Sequence, residues 1–272
     1  MITVATSLVC VCIWGHHVAG QRTRADLLDE EVADSTRLFR GLDSVKDYFR
    51  NNTNPLAKQI LETFENECFY MEEPELPSGR QRRPFIVIEG NHKSSREVVG
   101  VRLAGMLDGR YLVHPASCLI RYSDILPKGS LIRRAYYVLS LYAMSFNVKI
   151  NLSLGRAVVV NGYWLDQLTW NLIHAQPGET AVPPASSSLL DKPPDLFTPD
   201  LIFYLNLPDD LFYRQVTTRS PRNWKSRVLS LYQSLQTRYP IVIQDLERIY
   251  RAAALVVYRH LVLTLSDVRY EC

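Results

Sequence analysis

The sequence predicts an α/β domain built on a parallel sheet, and three observations carry that expectation. Phe85 to Ile88 is an unbroken apolar run closed by Glu89-Gly90, the length and composition of a strand buried on both faces. Apolar residues then recur at Val98, Val101, Leu103, Ala104 and Leu107, the spacing of a helix. The two patterns keep alternating, with a second buried strand ending in a turn over Ala157–Trp164 and a third with its exit loop over Pro199–Asp210, as expected for strands joined by crossover helices. Composition agrees with an ordinary packed core: 272 residues, 47% hydrophobic, 22% charged and a net charge of +3. A pI near 8.5 is too mild to argue for a nucleic-acid partner.

Taken in order, residues 1–20 form a targeting segment. It has no acidic residue, an apolar core from Val4 to Trp14, and a Val18-Ala19-Gly20 end suited to signal-peptidase cleavage. That core is too short for a comfortable membrane span, so no transmembrane helix is expected in the mature chain. The absence of Lys or Arg before it, with Arg22 and Arg24 after it, keeps a mitochondrial presequence as the alternative to the secretory route. Residues 21–73 form a helical extension of two or three helices, with apolar spacing at Leu27, Leu28, Val32, Leu38 and Phe39, then Leu56, Ile60, Leu61 and Phe64. A Pro- and charge-rich linker spans 74–83. Gln176 to Pro199, rich in Pro and Ser, reads as a surface insertion, and Arg248 to Leu265 as a closing amphipathic helix. Asn51-Asn-Thr53 and Asn151-Leu-Ser153 are N-glycosylation patterns. Loss of Cys10 and Cys12 with a signal leaves Cys68, Cys118 and Cys272, an odd remainder that argues against a disulfide scaffold. No metal-ligand spacing and no nucleophile–His–acid pattern stands out.

The segment from Pro84 to Val99 has the layout of a phosphate-binding loop. A strand, a loop starting with Gly and a helix form the context in which G-x-x-x-x-G-K-[ST] cradles a triphosphate. Gly90 fits the first position. The second Gly is Ser95, the Lys is Arg96 and the metal-holding hydroxyl is Glu97. Ser95 adds a Cβ where backbone and phosphate must approach. Arg96 keeps the charge but aims a bulkier planar fork. Glu97 sets a carboxylate beside a polyanion. The same residues support a second reading, because Ser94-Ser95-Arg96-Glu97 has the S-x-x-E form of a capping box ahead of an apolar helix. Either Ser94 and Glu97 satisfy the helix end internally, or a weak nucleotide site survives on Lys93 and Arg96.

Four later segments follow in a consistent order: His114 to Cys118, the amphipathic run Leu131 to Tyr142 with Arg133-Arg134, Ala157 to Trp164, and Pro199 to Asp210. Together with the loop, over about residues 84–265, they resemble the thymidylate kinase family, nearest to its mitochondrial UMP/CMP kinase branch. The resemblance implies a P-loop, doubly wound parallel sheet flanked by helices, and ATP with Mg²⁺ as cosubstrates. It also implies Arg133, Arg134, Pro115 and Ser117 near the acceptor, and a homodimer contact through the Arg133–Tyr142 helix. The family's D-R-Y-W segment reads Asn161-Gly162-Tyr163-Trp164 here. Asn161 is no carboxylate, Gly162 has no donor, and Tyr163 and Trp164 either stack on a base or fill the core. Leu141 stands where a polar base reader is often found. The lid matches Arg214 to Lys225, where Arg219 and Arg222 are either γ-phosphate clamps or a solvated basic loop, and the adenine loop matches Asp245 to Arg248.

Losses at both motifs lead to one expectation, a pseudokinase with impaired ATP binding and catalysis, its fold kept for protein contact or for holding a ligand. The alternative is an active pyrimidine nucleoside monophosphate kinase acting on dTMP, dUMP or CMP through a substituted phosphate clamp.

Overall fold

Two layers of helices enclose a five-stranded sheet in which every neighbouring pair is parallel. The computed structural model of the protein describes residues 40–76, 82–175, 186–207, 224–246 and 250–270. The targeting segment, the first part of the extension, Arg219 and Arg222 of the lid, and Arg248 lie outside the described residues. The described elements run α1 (Leu42–Asn51), α2 (Pro55–Glu67), β1 (Phe85–Gly90), α3 (Lys93–Met106) and β2 (Arg110–Val113). A 3₁₀ turn at Ser117–Tyr122 leads to α4 (Leu131–Ser153), β3 (Val158–Asn161) and α5 (Trp164–Ala175). A second 3₁₀ turn at Ser188–Leu190 precedes β4 (Leu201–Asn206), α6 (Trp224–Leu235), β5 (Ile241–Asp245) and α7 (Tyr250–Tyr270).

The strand order is β2-β3-β1-β4-β5, which places β1 in the centre. Its four apolar residues are all fully buried, and alternate between the two faces as a pleated strand requires. Phe85 and Val87 join the core under α4, while Ile86 and Ile88 join the core under α3 and α7. Val158 and Val160 of β3 repeat that split against Val159, and Ile202 and Tyr204 of β4 repeat it against Leu201, Phe203 and Leu205. This two-sided burial explains why the strands read as continuous apolar runs rather than alternating ones.

The extension is part of the core. Val45 and Phe49 of α1 and Ile60 and Phe64 of α2 are buried to 1% exposure or less. Each such side chain contributes roughly 2 kcal/mol by removal from water. Both helices pack on α4, covering the helix to which the resemblance assigns a homodimer contact. Three local devices hold them. Asn54 accepts the Leu56 N–H at 3.0 Å ahead of Pro55 at the first helical position. Asp195 accepts the Leu42 N–H at 2.7 Å and the Tyr142 hydroxyl at 2.9 Å, so a loop between β3 and β4 caps α1. Cys68, just after α2, forms a disulfide with Cys118 across 50 residues of sequence.

That bond corrects the expectation drawn from the odd cysteine count: parity described the whole set, whereas pairing depends on which two thiols the fold brings together. The expected surface insertion is corrected as well. Leu190 and Leu196 are buried, and Phe197 stacks on Phe85 with ring centroids 5.8 Å apart, so the described part of that Pro-rich segment is a wall of the core.

Replacing Cys68 and Cys118 together by Ser should destabilise the protein by up to about 4 kcal/mol, the loop-closure entropy of a 50-residue loop. Equilibrium denaturation of both proteins without reductant measures this, and equal midpoints would show that the crosslink constrains nothing.

Candidate functional site

The carboxyl ends of β1, β3 and β4 are where a sheet of this order presents a ligand crevice, at the switch point between β1 and β4. Gly90 makes the exit from β1, with φ at 148° and a backbone so close to β4 that a Cβ would lie 2.3 Å from the Leu205 carbonyl oxygen. Asn91 then ties this exit to the end of β4. Its side-chain oxygen accepts the Leu207 N–H at 2.9 Å, and its amide donates to the Leu207 carbonyl at 2.9 Å. Asn206, one residue earlier, donates to Asp245 at 2.7 Å and ties in β5.

The helix begins directly afterwards. α3 starts at Lys93, five residues before the expected Val98, and its cap is His92 rather than Ser94. His92 Nδ1 accepts the Ser95 N–H at 3.2 Å and lies 2.7 Å from Ser95 Oγ, and the His92 carbonyl accepts the Arg96 N–H at 3.2 Å. The Ser94–Glu97 capping box is therefore not formed. Both residues lie exposed within the helix, Ser94 directly after its first residue Lys93, so Ser94 is past the capping position. The expectation that the helix end satisfies itself holds through a different side chain. His92 is displaced downward from the usual histidine pKa by burial and by the charges of Lys225 and Arg96, which keeps Nδ1 free to accept. Lys93 is exposed at the first helical position, and Ser95 is buried.

Arg96 leaves the loop altogether. Its guanidinium donates to Asp166 on the first turn of α5 at 2.9 Å, across the gap between β1 and β3. Gly162 lies beneath that pair with φ at 77°, and a Cβ there would approach Asp166 Oδ2 at 3.2 Å. Behind the pair stands Glu89, fully buried at the end of β1. Its Oε1 accepts the N–H groups of Tyr163 and Asp166 at 3.1 and 3.2 Å, which makes it the cap of α5. Its Oε2 accepts the Tyr232 hydroxyl of α6 at 2.6 Å. Burial, with Asp166 adding to it, pushes the Glu89 carboxyl up to about 7. Tyr232 is pushed up as well, by burial first and by Glu89 next. Neither Glu89 nor Asp166 was singled out by the sequence motifs. The only available signal was a carboxylate ending an apolar strand, which reads equally well as a strand terminator.

The remaining candidates are distributed differently from the expectation. Asn161 donates to the Tyr111 hydroxyl at 2.9 Å and is buried against the edge strand β2. Tyr163 and Trp164 are buried, with Tyr163 donating to the Phe197 carbonyl at 3.0 Å and Trp164 set edge-on to Tyr239. They fill the core, and neither offers a face for a base. Arg133 donates to the Ser123 and Leu126 carbonyls and lies over Tyr137, holding the loop ahead of α4. Arg134 is half-buried on the same turn. Pro115 follows a cis peptide, Ser117 is exposed at the start of the 3₁₀ turn, and Leu141 is fully buried. His114, whose Nε2–H donates to the Tyr137 carbonyl at 3.0 Å, is held down at about 4 by burial. Among the described residues no group of His, Cys, Asp and Glu could hold a metal ion, and no helix is long and apolar enough to cross a membrane.

No protein-family model matches this chain, and no curated protein matches it. Solved structures do. Thymidylate kinase from Candida albicans superposes with a TM-score of 0.51 at 15% identity, over 68% of this chain and 93% of its own. Thymidylate kinase from Ehrlichia chaffeensis is 16% identical over 66% of this chain and 98% of its own, with a TM-score of 0.45. The chain therefore has the thymidylate kinase-like fold, the α/β class with a parallel sheet flanked by helices.

Two predictions follow the geometry. His92→Ala should cost about 1 kcal/mol of stability through loss of a cap. Ser94→Ala and Glu97→Thr should each stay within about 0.5 kcal/mol, since neither caps anything. Thermal melts rank the three, and a larger loss for Ser94→Ala would reinstate the capping box. The second prediction concerns pH. A carboxyl raised to about 7 favours the folded state at low pH and loses that contribution as pH rises from about 4.5 to 7. A histidine held at about 4 acts oppositely, losing its contribution as pH falls from about 6.5 to 4. The two oppose each other in native protein. Glu89→Gln should expose the histidine slope, so that this variant loses stability on acidification below about pH 6.5 more steeply than the native chain. Parallel melts from pH 4 to 7.5 measure the difference, and parallel curves would show that Glu89 does not hold the proton.

Proposed function

We propose that this chain is a pseudokinase: a nucleoside monophosphate kinase-like fold that neither binds Mg·ATP productively nor transfers phosphate, and that serves as a binding module. One observation carries the reading. The N–H groups of Ser95 and Arg96, which an anion at this helix end would use, are both taken by His92.

The residues present do not fit ATP with Mg²⁺. Phosphoryl transfer asks a protein for positioning and for charge neutralisation at the γ-phosphate. Positioning by a backbone cradle is absent because β1 passes into α3 through only Asn91 and His92, and Asn91 is fastened to β4. Neutralisation by Arg96 is absent because Asp166 already balances its charge. Glu97 offers a carboxylate on the outer face of the helix, not a hydroxyl toward a metal. At the second motif Asn161 is uncharged and hydrogen-bonded to Tyr111.

The active reading, transfer to dTMP, dUMP or CMP, requires Arg96 to leave Asp166 and the α3 N-terminus to unwind. Restoring side chains alone is therefore insufficient. Gly162→Arg in particular places a Cβ on a backbone held at positive φ beside Asp166.

Thermal shift and turnover assays decide between the two. ATP at 1 mM, with or without Mg²⁺, should leave the melting temperature unchanged, and no diphosphate should form from dTMP, dUMP or CMP. Binding at 100 times the Kd would add about 2.7 kcal/mol, well above detection. A saturable, Mg²⁺-dependent stabilisation would overturn the proposal.

A further inference from the structure

The two Asn-x-Ser/Thr patterns have opposite surroundings in the fold. Asn151 lies near the end of α4, where its Nδ2 donates to the Asn147 carbonyl at 2.8 Å. Ser153 Oγ donates to the Ile150 carbonyl at 2.8 Å, and Leu152 between them is fully buried. Both polar groups of that pattern are spent on the helix. Asn51 is the last residue of α1 and is exposed. Asn52 after it has extended backbone, with φ at −85° and ψ at 125°, and Thr53 is exposed in the turn before Pro55. A bulky substituent at Asn51 meets solvent. One at Asn151 meets a half-buried amide already donating to the helix.

A second, independent observation concerns the compartment. Cys68 and Cys118 are paired in a disulfide, a bond that persists in secretory and extracellular surroundings and is rare in the cytosol. The compartment that forms such bonds in eukaryotic cells also carries out N-glycosylation. The amino-terminal Val4–Trp14 apolar core, closed by Val18-Ala19-Gly20, suits entry to that route.

We infer that Asn51, and not Asn151, is an N-glycosylation site, and that the protein matures in the secretory pathway with Cys68 and Cys118 oxidised. In the transfer, Asn51 Nδ2 forms a bond to C1 of the first sugar of a lipid-pyrophosphate-linked oligosaccharide. The bond from C1 to the pyrophosphate oxygen breaks, the lipid pyrophosphate leaves with the electron pair, and the amide gives up one proton.

The test expresses the full chain with its own amino terminus in a eukaryotic cell line. It follows electrophoretic mobility before and after an amide-cleaving glycosidase, with peptide mass spectrometry of both sites. The native chain should shift by a single glycan. Asn51→Gln and Thr53→Ala should each abolish the shift, whereas Thr53→Ser and Asn151→Gln should retain it. Retention in Thr53→Ser separates loss of the acceptor pattern from misfolding of the α1–α2 turn. A native chain unaffected by the glycosidase, a glycan that survives Asn51→Gln, or mitochondrial recovery with free Cys68 and Cys118 thiols would each overturn the inference.

Discussion

The buried carboxylate of Glu89 is the constraint on which the carboxyl edge of the sheet depends. It sits at the end of the central strand, holds two N–H groups at the start of α5 and receives the Tyr232 hydroxyl from α6. A fully buried carboxyl is costly unless its acceptor positions are filled, and here backbone and phenol fill them. Filling them fixes Asp166 at one place on α5. Asp166 in turn fixes Arg96, and Arg96 occupies the gap between β1 and β3. A chain of contacts that begins with burial of one carboxylate thus ends by holding a guanidinium over the carboxyl edge of the sheet. On the other flank of β1, Asn91 is tied to the end of β4 by its paired bonds to Leu207.

The shape of this fold does not depend on the residues at its phosphate-loop positions. The sheet, its order and its two cores rest on apolar burial, and no phosphate-handling residue contributes to them. Departures at the loop can therefore accumulate, provided the orphaned groups find new partners. His92 takes up donors of the helix end, Asp166 takes up the guanidinium and Tyr111 takes up Asn161. Each replacement partner removes the desolvation cost of the atom it contacts, although Arg96 Nε stays buried without a hydrogen-bond partner among the described residues. The site is closed by hydrogen bonds between its own parts.

The amino-terminal helices show the same economy on a larger scale. A long, nearly all-buried α4 would be an unusual surface helix, and α1, α2 and the 186–199 segment cover it. The disulfide joins the end of α2 to the 3₁₀ turn before α4, so that the cover cannot lift far from the helix beneath it.

The sequence by itself determined the three central strands, β1, β3 and β4, and the fold class, because a strand buried on both faces must be apolar throughout and a crossover helix must repeat near every third or fourth residue. The edge strands β2 and β5, only partly buried, carry no such run. It also located the two segments that depart from the phosphate-handling motifs of the family it resembles, since those depend on residue type alone. What it left open were pairings between distant residues. Ser94 reads as the cap of α3, and only in the folded chain, where β1 passes against β4 at Gly90, does the helix start early enough to use His92. Arg96 reads as a phosphate ligand until Asp166, 70 residues away, is placed beside it. Cys68 and Cys118 read as leftovers until α2 lies along the turn before α4. In each case the deciding quantity is a distance through space between segments far apart in the chain, and tertiary packing alone sets that distance.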